Sequence, residues 1–346
     1  MMQFTELTNI LKNISCVSVA VVGDICIDAY WEIDTRAEEL SLETGKPTIA
    51  VRHQRYSLGG AGNVGTNLAS LGVRRTYALG VTTDDLYGRE MLRHMRNLKI
   101  HVGGLVGQNK GWETPVYAKP YRGSVELNRI DFGRFNTLSH TSERKLIATL
   151  RDEVSRVDAL IVNQQLQKSI FTRAVIRALN DLAEKYPKKI FLVDSRHRIP
   201  DFRSMICKLN AIEAAALFGK KVRHNELVAS ASLRRYAGHF FERLRKPVFI
   251  TRGRLGLLLF DGNGAVEIPA LKVAGAIDPV GAGDTVVSTL AAALAAGATP
   301  VQAGELAMIA AAVSVRKLRQ TGTASPKEIL NVLSTLKDHE HKLVKL

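Results

Sequence analysis

The chain has 346 residues, 46% of them hydrophobic and 23% charged, a balance that is ordinary for a globular protein. Lysine and arginine total 48 against 33 acidic residues, a net charge of +15, but they are scattered in pairs rather than clustered, which argues against nucleic acid as the main partner. No apolar run is long enough to span a bilayer.

The three cysteines, Cys16, Cys26 and Cys207, are far apart and odd in number, so neither a disulfide framework nor a metal-ligand spacing is present. The N-terminal segment Phe4–Ile14 is polar and amphipathic, and it lacks the pattern of a signal peptide. We therefore expect a soluble, cytoplasmic protein with neither a membrane nor a nucleic acid as its partner.

Short apolar runs alternate with helical patterns along the chain, which predicts parallel strands joined by crossover helices. The predicted strands are Cys16–Val22, Thr76–Leu79, Ala159–Val162, Ile190–Val193 and Val248–Thr251. The predicted helices are Asn63–Leu71, Arg89–Leu98, Ser142–Val154, Ser169–Lys185, Ala282–Ala296 and Pro300–Leu318. The strands are nearly continuous in hydrophobicity, as is typical of strands buried on both faces.

Two segments break this alternation. Ile49–Arg55 and Thr114–Ile130 alternate apolar and polar residues, with a turn at Arg122–Ser124. The pattern indicates a half-exposed antiparallel sheet, which is either a small lid on the main core or an ordinary edge hairpin. No internal repeat or linker divides the chain, so we predict a single domain over residues 1–346.

The strongest local motif is Gly281-Ala282-Gly283-Asp284, which precedes an apolar helix. Small residues allow a ligand to approach the backbone, and the free N–H groups of a first helical turn favour an anion. Asp284 could take a proton from a substrate hydroxyl while these amides stabilise a transferring phosphoryl group. The alternative is a plain helix start in which Asp284 is favourable to the helix dipole.

A second glycine cluster, Gly59-Gly60-Ala-Gly-Asn63, precedes the next predicted helix, and two carboxylates, Asp24 and Asp28, follow the first strand. Carboxylates at this end of a parallel strand lie where open α/β sheets bind ligands, and they accept hydrogen bonds from a vicinal diol. The functional interpretation of the cluster is a turn whose backbone and Asn63 side chain hydrogen-bond the hydroxyls of a sugar, beside the two carboxylates. The alternative for the glycines is close packing of a helix on a strand.

Two further segments fit a nucleotide. Asn210 and Glu213 are either a helix-capping pair or, through Glu213, part of a Mg²⁺ site beside phosphates. The loop Thr251–Gly256 is either a contact to a phosphate or base, or a basic turn. The chain has no Walker lysine motif, which argues against a P-loop mechanism.

In this order, these elements resemble the PfkB, or ribokinase-like, carbohydrate kinases over roughly residues 16–326. The matching segments are Gly23-Asp24 with Asp28, Gly59–Asn63, Asn210-x-x-Glu213 and Asp278–Asp284. The resemblance implies an α/β fold: a three-layer α/β/α core with a mostly parallel central sheet and a small β lid, from segments 28–58 and 112–132. It also implies ATP, Mg²⁺, a possible monovalent cation, and homodimers made through the lid strands.

Within the family, the chain is most similar to kinases of D-glycero-D-manno-heptose 7-phosphate. The similar stretches are Val22–Trp31, Leu127–Phe132, Gly281–Val286, Lys317–Leu318 and Gly322–Pro326. This implies phosphorylation of the anomeric hydroxyl of the sugar. Other sugars, a nucleoside, or a retired kinase that only binds its ligands are the alternatives. Some relatives carry a second, nucleotidyltransferase domain, which we expect to be absent here.

We therefore expect Asp284 to be the base, assisted by the backbone of Gly281, Ala282 and Gly283. The other expected site residues are, for the sugar, Asp24, Asp28, Gly59, Gly60, Asn63 and Arg196; for ATP, Asn210, Thr251, Arg252, Gly253 and Gly256; and for the metal, Glu213.

The chain departs from the family pattern at four places. Asn163-Gln-Gln replaces a Ser-Asp-Tyr-like segment, and Asp194-Ser-Arg196 replaces Asp-Pro-Lys. Arg36–Pro47 is longer than in relatives, and Ile309 stands where an asparagine near the adenine is frequent. Arg196 could still hold a substrate phosphate, although its planar fork is not equivalent to the point charge of a lysine.

Overall fold

The computed structural model describes residues 3–223, 226–318 and 320–332. Its strands are β1 (Ser18–Gly23), β2 (Ile25–Ile33), β3 (Val51–Gly60), β4 (Arg75–Thr82), β5 (His101–Gly107), β6 (Val116–Arg122), β7 (Val125–Glu126), β8 (Ile130–Phe132), β9 (Ala159–Gln164), β10 (Ile190–Ser195), β11 (Ile206–Asn210), β12 (Val248–Thr251), β13 (Leu257–Phe260) and β14 (Ala265–Ile268). Its longer helices are α1 (Phe4–Ile14), α2 (Ala61–Ser70), α3 (Leu86–Asn97), α4 (His140–Val154), α5 (Arg173–Lys185), α6 (Ala211–Leu217), α7 (Ser230–Leu244), α8 (Ala282–Ala295) and α9 (Pro300–Ser314).

Nine strands form the central sheet, in the order β14-β13-β12-β11-β10-β9-β1-β4-β5. The pairs from β12 through β5 are parallel, and only β13 and β14 at one edge are antiparallel. This confirms a mostly parallel central sheet. Because parallel strands place their carboxyl ends at one edge, the loops that follow β1, β9, β10, β11 and β12 converge there.

Helices cover both faces of the central sheet. One buried cluster joins it to α1, α2, α8 and α9, and the other joins it to α4, α5, α6 and α7. Successive residues of a strand alternate between the two clusters: Val21 and Ile161 face α8, whereas Val22 and Val162 face the opposite layer. The result is the three-layer α/β/α core that the sequence predicted.

A second sheet of five strands stands beside the core, in the order β3-β2-β6-β7 with β8 paired to β6. The chain enters it immediately after β1, so Asp28 lies within strand β2 and not in a loop. The predicted turn at Arg122–Ser124 separates β6 from β7. The segments 28–58 and 112–132 contain most of this sheet. That they act as a lid, and that residues 1–346 form a single domain, stay predictions.

Most predicted elements are present, with shifted ends. The helix predicted from Ser169 begins at Arg173, because residues 165–170 are held by hydrogen bonds to the carboxylate of Asp24. The helix predicted to end at Leu318 ends at Ser314. The predicted turn at Gly59-Gly60 is strand instead: β3 runs through Gly60, which with a φ of 54° caps α2 directly.

Candidate active site

Three polar side chains form a row at the carboxyl ends of adjacent buried strands. Asp194 of β10 is in register with Asn163 of β9 and with Lys208 of β11. Their strand neighbours alternate between the two cores, which places all three on the sheet face that α8 covers. Lys208 Nζ lies 3.2 Å from Asp194 Oδ2, and both side chains are almost fully buried. Buried charges are normally retained only when paired, as these two are, and the row lies on the side of the sheet where the loops converge.

Burial disfavours the charged form of Lys208, but the carboxylates of Asp194, Glu213 and Asp284 raise its pKa above the usual lysine value. Burial raises the pKa of Asp194, and Lys208 opposes that rise. Lys208 therefore stays a cation inside the protein. Lys208 is not among the residues predicted for the site; the only local signal for it is a lysine in the middle of a short apolar run just before Asn210.

The first turn of α8 lies above this row. Gly281 has a φ of 80°, and a Cβ there would come within 2.9 Å of Thr321 and 3.1 Å of Asn63 Nδ2. A Cβ on Gly283 would lie 3.3 Å from Lys208 Nζ. The two glycines thus let Thr321, Asn63 and Lys208 approach the start of the helix, which accounts for the small residues of the motif.

Fewer backbone N–H groups at the start of α8 are available to a ligand than the sequence suggested. The N–H of Ala282 already donates to Pro279 O, so it is not available to a ligand. Within the described residues, no hydrogen bond uses the N–H groups of Gly283 and Asp284. These two amides, with the positive end of the α8 dipole and the ammonium of Lys208, make the start of α8 suitable for an anion.

Asp284 is in the same first turn and accepts a hydrogen bond from Asn63 Nδ2 to its Oδ2 at 2.6 Å. Burial raises the pKa of Asp284 to about 6; the Asn63 hydrogen bond lowers it, the negative charge of Asp194 raises it, and Lys208 lowers it. A carboxylate with this pKa is ionised at neutral pH and still accepts a proton, as a general base must.

Asp24 does not have the position expected of a sugar ligand. Its Oδ2 accepts from the N–H groups of Gln165 and Leu166, and its Oδ1 accepts from Ser169 Oγ and the N–H of Ile170. A carboxylate has about four lone-pair sites, and all are taken. These contacts correct the expected role of Asp24. Its carboxylate fixes the loop between β9 and α5 and has no lone pair left to accept a hydrogen bond from a substrate.

The place of Asp28 in the second sheet gives it a different set of neighbours. Its Oδ1 lies 3.0 Å from Lys119 Nζ of β6, and a Cβ on Gly59 would lie 3.2 Å from its Oδ2. The absence of a side chain at Gly59 thus leaves room for the carboxylate. Gly60 is similarly constrained, since a Cβ there would meet Asp24 O at 2.4 Å.

Arg196 stands at the end of β10 near the second sheet. Burial raises the pKa of the Tyr117 phenol of β6, and the positive charges of Arg196 and Arg129 oppose this, which places both arginines near that ring. The Arg129 guanidinium lies 4.2 Å from the ring centre of Tyr117 and is paired with Asp131. The side chain of Arg196 is exposed and forms no ion pair within the described part of the chain.

A cavity of about 570 Å³ opens beside the first turn of α8. Its lining is mainly apolar, and it is formed by Thr251, Gly253, Arg254, Gly256, Ala270, Leu271, Lys272, Val273, Ile277, Pro279, Ala282, Gly283, Val286, Met308, Ala311, Ala312 and Val315. Thr251, Gly253 and Gly256 of the expected nucleotide loop are among these residues. Ala282 and Gly283 connect the cavity to the site of Asp284.

Of the expected nucleotide contacts, Asn210 and Arg252 do not line this cavity, nor does Ile309, which stands where an asparagine near the adenine is frequent. Arg252 is directed to Ser230 Oγ and Glu267, each 3.0 Å away, because its side chain is buried and needs these partners. Ile309 is only 2% exposed and belongs to the core under α8 and α9. Its replacement of a frequent asparagine therefore changes core packing, while the cavity wall on α9 is formed by Met308, Ala311 and Ala312.

Asn210 and Glu213 form a capping box at the start of α6. Asn210 Oδ1 accepts from the N–H of Glu213, and Glu213 Oε2 accepts from the N–H of Asn210, both at 2.8 Å. This leaves one carboxylate oxygen of Glu213. Over residues 3–223, 226–318 and 320–332, no group of three or more His, Cys, Asp or Glu side chains could hold a metal ion. The residues present fit Mg²⁺ that keeps mainly phosphate and water ligands.

None of the helices in the described ranges has the length and apolar character needed to span a bilayer.

Comparisons with known proteins give a consistent result. The chain matches the pfkB family carbohydrate kinase profile over residues 18–328. Among curated proteins it is 29% identical over 333 residues to the bifunctional protein HldE of Trichlorobacter lovleyi, covering 94% of this chain and 65% of that protein. It is 31% identical over 340 residues to the bifunctional protein HldE of Pelobacter propionicus, covering 95% and 66%. The chain thus spans about two thirds of the length of these relatives.

Solved structures share the fold. Ribokinase from Thermotoga maritima has a TM-score of 0.68 at 20% identity, covering 92% of this chain and 99% of that one. Phosphofructokinase-2 from Escherichia coli has a TM-score of 0.72 at 16% identity, covering 93% and 99%. These likenesses confirm the expected ribokinase-like fold. Together with the family match over most of its length, they show that the chain belongs to the pfkB family of carbohydrate kinases, phosphotransferases that act on an alcohol group.

Proposed function

We propose that this carbohydrate kinase transfers the γ-phosphoryl group of ATP to a hydroxyl of a sugar phosphate, with the anomeric hydroxyl of D-glycero-D-manno-heptose 7-phosphate as the first candidate. The observation that carries the proposal is the position of Asp284. It lies in the first turn of α8, with two free backbone N–H groups and the Lys208 ammonium beside it. A base, backbone donors and a cation in one place are what phosphoryl transfer to a hydroxyl requires.

In this proposal, Asp284 accepts the proton of the acceptor hydroxyl as the oxygen attacks the γ-phosphorus. The N–H groups of Gly283 and Asp284 donate to the transferring phosphoryl group, and Lys208 neutralises part of its charge from below. The bond from the γ-phosphorus to the ADP oxygen breaks as the new P–O bond forms. Mg²⁺, when bound, neutralises phosphate charge, and the free oxygen of Glu213 would hold it through water.

ATP fits the cavity between the loop Thr251–Gly256 and α9. The apolar side chains of Met308 and Ala312 suit a base, and the open end of the cavity at Ala282 and Gly283 leads the phosphates to Asp284. A structural relative, ribokinase from Arabidopsis thaliana, has a TM-score of 0.69 at 18% identity and was solved in complex with ribose and ATP.

A phosphorylated sugar is favoured over a neutral one by the charges around the remaining space. Lys119 and Arg129 are paired with acidic residues, so they retain little charge for a ligand. Arg196 is exposed between β10 and the second sheet and has no such partner among the residues described. An unpaired guanidinium suits a phosphate, to which it can donate two parallel hydrogen bonds. The similarity to HldE proteins supports the same class of substrate.

We also propose that the chain forms homodimers through the second sheet, which would act as a lid. Val51, Val125, Ile130 and Phe132 of this sheet are large apolar side chains that are each more than a third exposed. Exposed apolar side chains gathered on one sheet favour burial against another surface. Sedimentation equilibrium would test this: Val125→Glu with Ile130→Glu should shift the protein towards the monomer, and an unchanged mass would contradict the proposed interface.

The test of function is ADP release from Mg-ATP with a panel of acceptors. The panel is heptose 7-phosphate, fructose 6-phosphate, fructose, ribose and adenosine, and each is assayed with wild type and Asp284→Asn. We expect turnover on a sugar phosphate that falls about 10²–10⁴-fold in the variant, the usual effect of losing a general base. Undiminished activity of Asp284→Asn would contradict the mechanism. ATP binding without turnover on any acceptor would favour a retired kinase that binds its ligands.

A further inference from the structure

Asn63 contacts the carboxylate of Asp284 directly. Asn63 lies in the first turn of α2, Asp284 lies in the first turn of α8, and 221 residues of sequence separate them. Asn63 is 1% exposed, and its Nδ2 donates to Asp284 Oδ2 at 2.6 Å. Because a carboxylate can only accept, the contact also fixes the orientation of the Asn63 amide.

A second asparagine holds Asn63 in this orientation. Asn67 follows one turn later on the same face of α2, and its Nδ2 donates to Asn63 O at 2.9 Å and lies 3.4 Å from Asn63 Oδ1. Thr285 Oγ1 lies 2.8 Å from Asn67 Oδ1 and donates to it. The donors therefore run in one direction, from Thr285 through Asn67 and Asn63 to Asp284, and all of these side chains except Asp284 are almost fully buried.

The backbone at Gly281 is adapted to the same contact. A Cβ at this position would lie 3.1 Å from Asn63 Nδ2, closer than most side chains tolerate. The left-handed φ of 80° and the missing side chain thus leave space for the amide against the helix start. This observation is independent of the hydrogen bonds.

We propose that Asn63 is a positioning residue for Asp284: it occupies Oδ2 and leaves Oδ1, which bonds no residue of the described ranges, for the acceptor hydroxyl. Asn67 supports Asn63 from behind. The assignment rests on the proposed role of Asp284 as base, and it differs from the expectation that Asn63 binds the sugar. Substitution of a residue that binds the sugar changes the affinity for the sugar. Substitution of a positioning residue changes the protonation of the base, Asp284.

The charged and titratable groups that influence Asp284 are the carboxylates of Asp28 and Asp194, the ammonium of Lys208 and the thiol of Cys26. None of them is altered by substitution of Asn63 or Asn67. Removing the Asn63 donor stabilises the protonated form of Asp284 relative to the ionised form. The acid limb of the kcat profile must therefore move to higher pH.

The experiment compares Asn63→Ala, Asn67→Ala and the matched control Asn180→Ala with wild type. Asn180 is also a buried asparagine, but it bonds Asp201 O and the N–H of Arg203 on the opposite helical layer. For Asn63→Ala we expect lower kcat and an acid limb about one pH unit higher. Asn67→Ala, which lies behind Asn63, should shift the limb in the same direction by less, and Asn180→Ala should not shift it.

A readout without turnover separates this inference from the proposed function. The carboxyl carbon of Asp284 can be titrated by NMR in protein carrying ¹³C-labelled aspartate, with Asp284→Asn to assign the signal. The midpoint should be higher in Asn63→Ala than in wild type, whether or not any sugar is phosphorylated. An unchanged midpoint and acid limb, with only KM for the sugar raised, would overturn the inference. If Asn63→Ala does not fold, Asn63→Ser and Asn67→Ala provide the same comparison.

Discussion

Lys208 and Asp194 form a buried ion pair, 3.2 Å long, between two parallel strands directly beneath the first turn of α8. A Cβ on Gly283 would lie 3.3 Å from the ammonium, so the cation reaches the place where a phosphoryl group would be transferred. A buried ion pair is by itself weak support for stability, because desolvation of both charges offsets their attraction. In the proposed function, the pair places a cation beside the transferring phosphoryl group.

The first prediction separates these two roles of Lys208. Lys208→Met leaves the Asp194 carboxylate buried without a partner, which should destabilise the fold by about 3–5 kcal/mol and lower kcat about 100-fold. The double variant Lys208→Met with Asp194→Asn removes both charges. We expect its unfolding free energy, measured in urea, to recover while kcat stays low. Recovery of kcat together with stability would show that the lysine is structural.

The second prediction concerns the stability cost of Asp284. Burial raises its pKa to about 6 from an ordinary value near 3.8, so the folded state binds more protons than the unfolded state between these two values. Folding stability contributed by this group is therefore present below pH 3.8 and is lost as pH rises through 6. Asp284→Asn should raise the unfolding free energy by about 2 kcal/mol at pH 8.

At pH 4 the same substitution should have a much smaller effect, because Asp284 is then almost fully protonated in the folded state and partly protonated in the unfolded state. The measurement is urea unfolding of wild type and Asp284→Asn at pH 4 and pH 8, with Asp181→Asn on α5 as an exposed control. If the difference in unfolding free energy between the two proteins does not change with pH, burial does not raise the pKa of Asp284 in the folded state.

Much of the fold could be predicted from the sequence because parallel strands buried on both faces consist of consecutive apolar residues. Strand β5 was not predicted because His101, Gly103 and Gly104 interrupt its run of apolar residues. Strand β11 was not predicted because Lys208 interrupts its run. Helix α7 was also missed, although Leu233, Tyr236, Ala237, Phe240 and Leu244 recur at helical spacing and are buried. Here a usable signal was present and was obscured by the polar residues between them.

The site was less predictable than the fold because its contacts join distant residues. The glycine motif marked Asp284, but no local pattern shows that Asn63 reaches it or that Lys208 projects below it. Asp24 illustrates the opposite case. Its place after β1 suggested a ligand, whereas its oxygens are saturated by a loop 141 to 146 residues further along the chain.

The third prediction follows from that role of Asp24. In Asp24→Asn the new amide group faces donors, so at least one N–H or the Ser169 hydroxyl loses its acceptor. We expect a loss of about 1–3 kcal/mol in unfolding free energy and faster amide exchange over residues 165–170. KM for ATP should be unchanged. A raised KM for the sugar with unaltered amide exchange over residues 165–170 would instead indicate that Asp24 contacts the sugar.

The last prediction tests the class of substrate through Arg196. Its guanidinium has no paired carboxylate within the described residues and lies near Tyr117. Arg196→Gln therefore removes a charge, while the buried Asp194, on which that charge also acts, keeps its ion pair with Lys208. We expect KM for a sugar phosphate to rise about 10- to 100-fold, the effect of a lost charge-assisted hydrogen bond, with kcat little changed. KM for ATP should not change.

Arg177→Gln is the matched control, since Arg177 is an exposed arginine of α5 on the opposite helical layer. It changes the net charge equally and should leave both KM values unchanged. The same pair of variants is then assayed with the corresponding neutral sugar. If Arg196 binds the phosphate, its loss affects only the phosphorylated substrate; an equal effect on both sugars would mean that Arg196 shapes the site without recognising a phosphate.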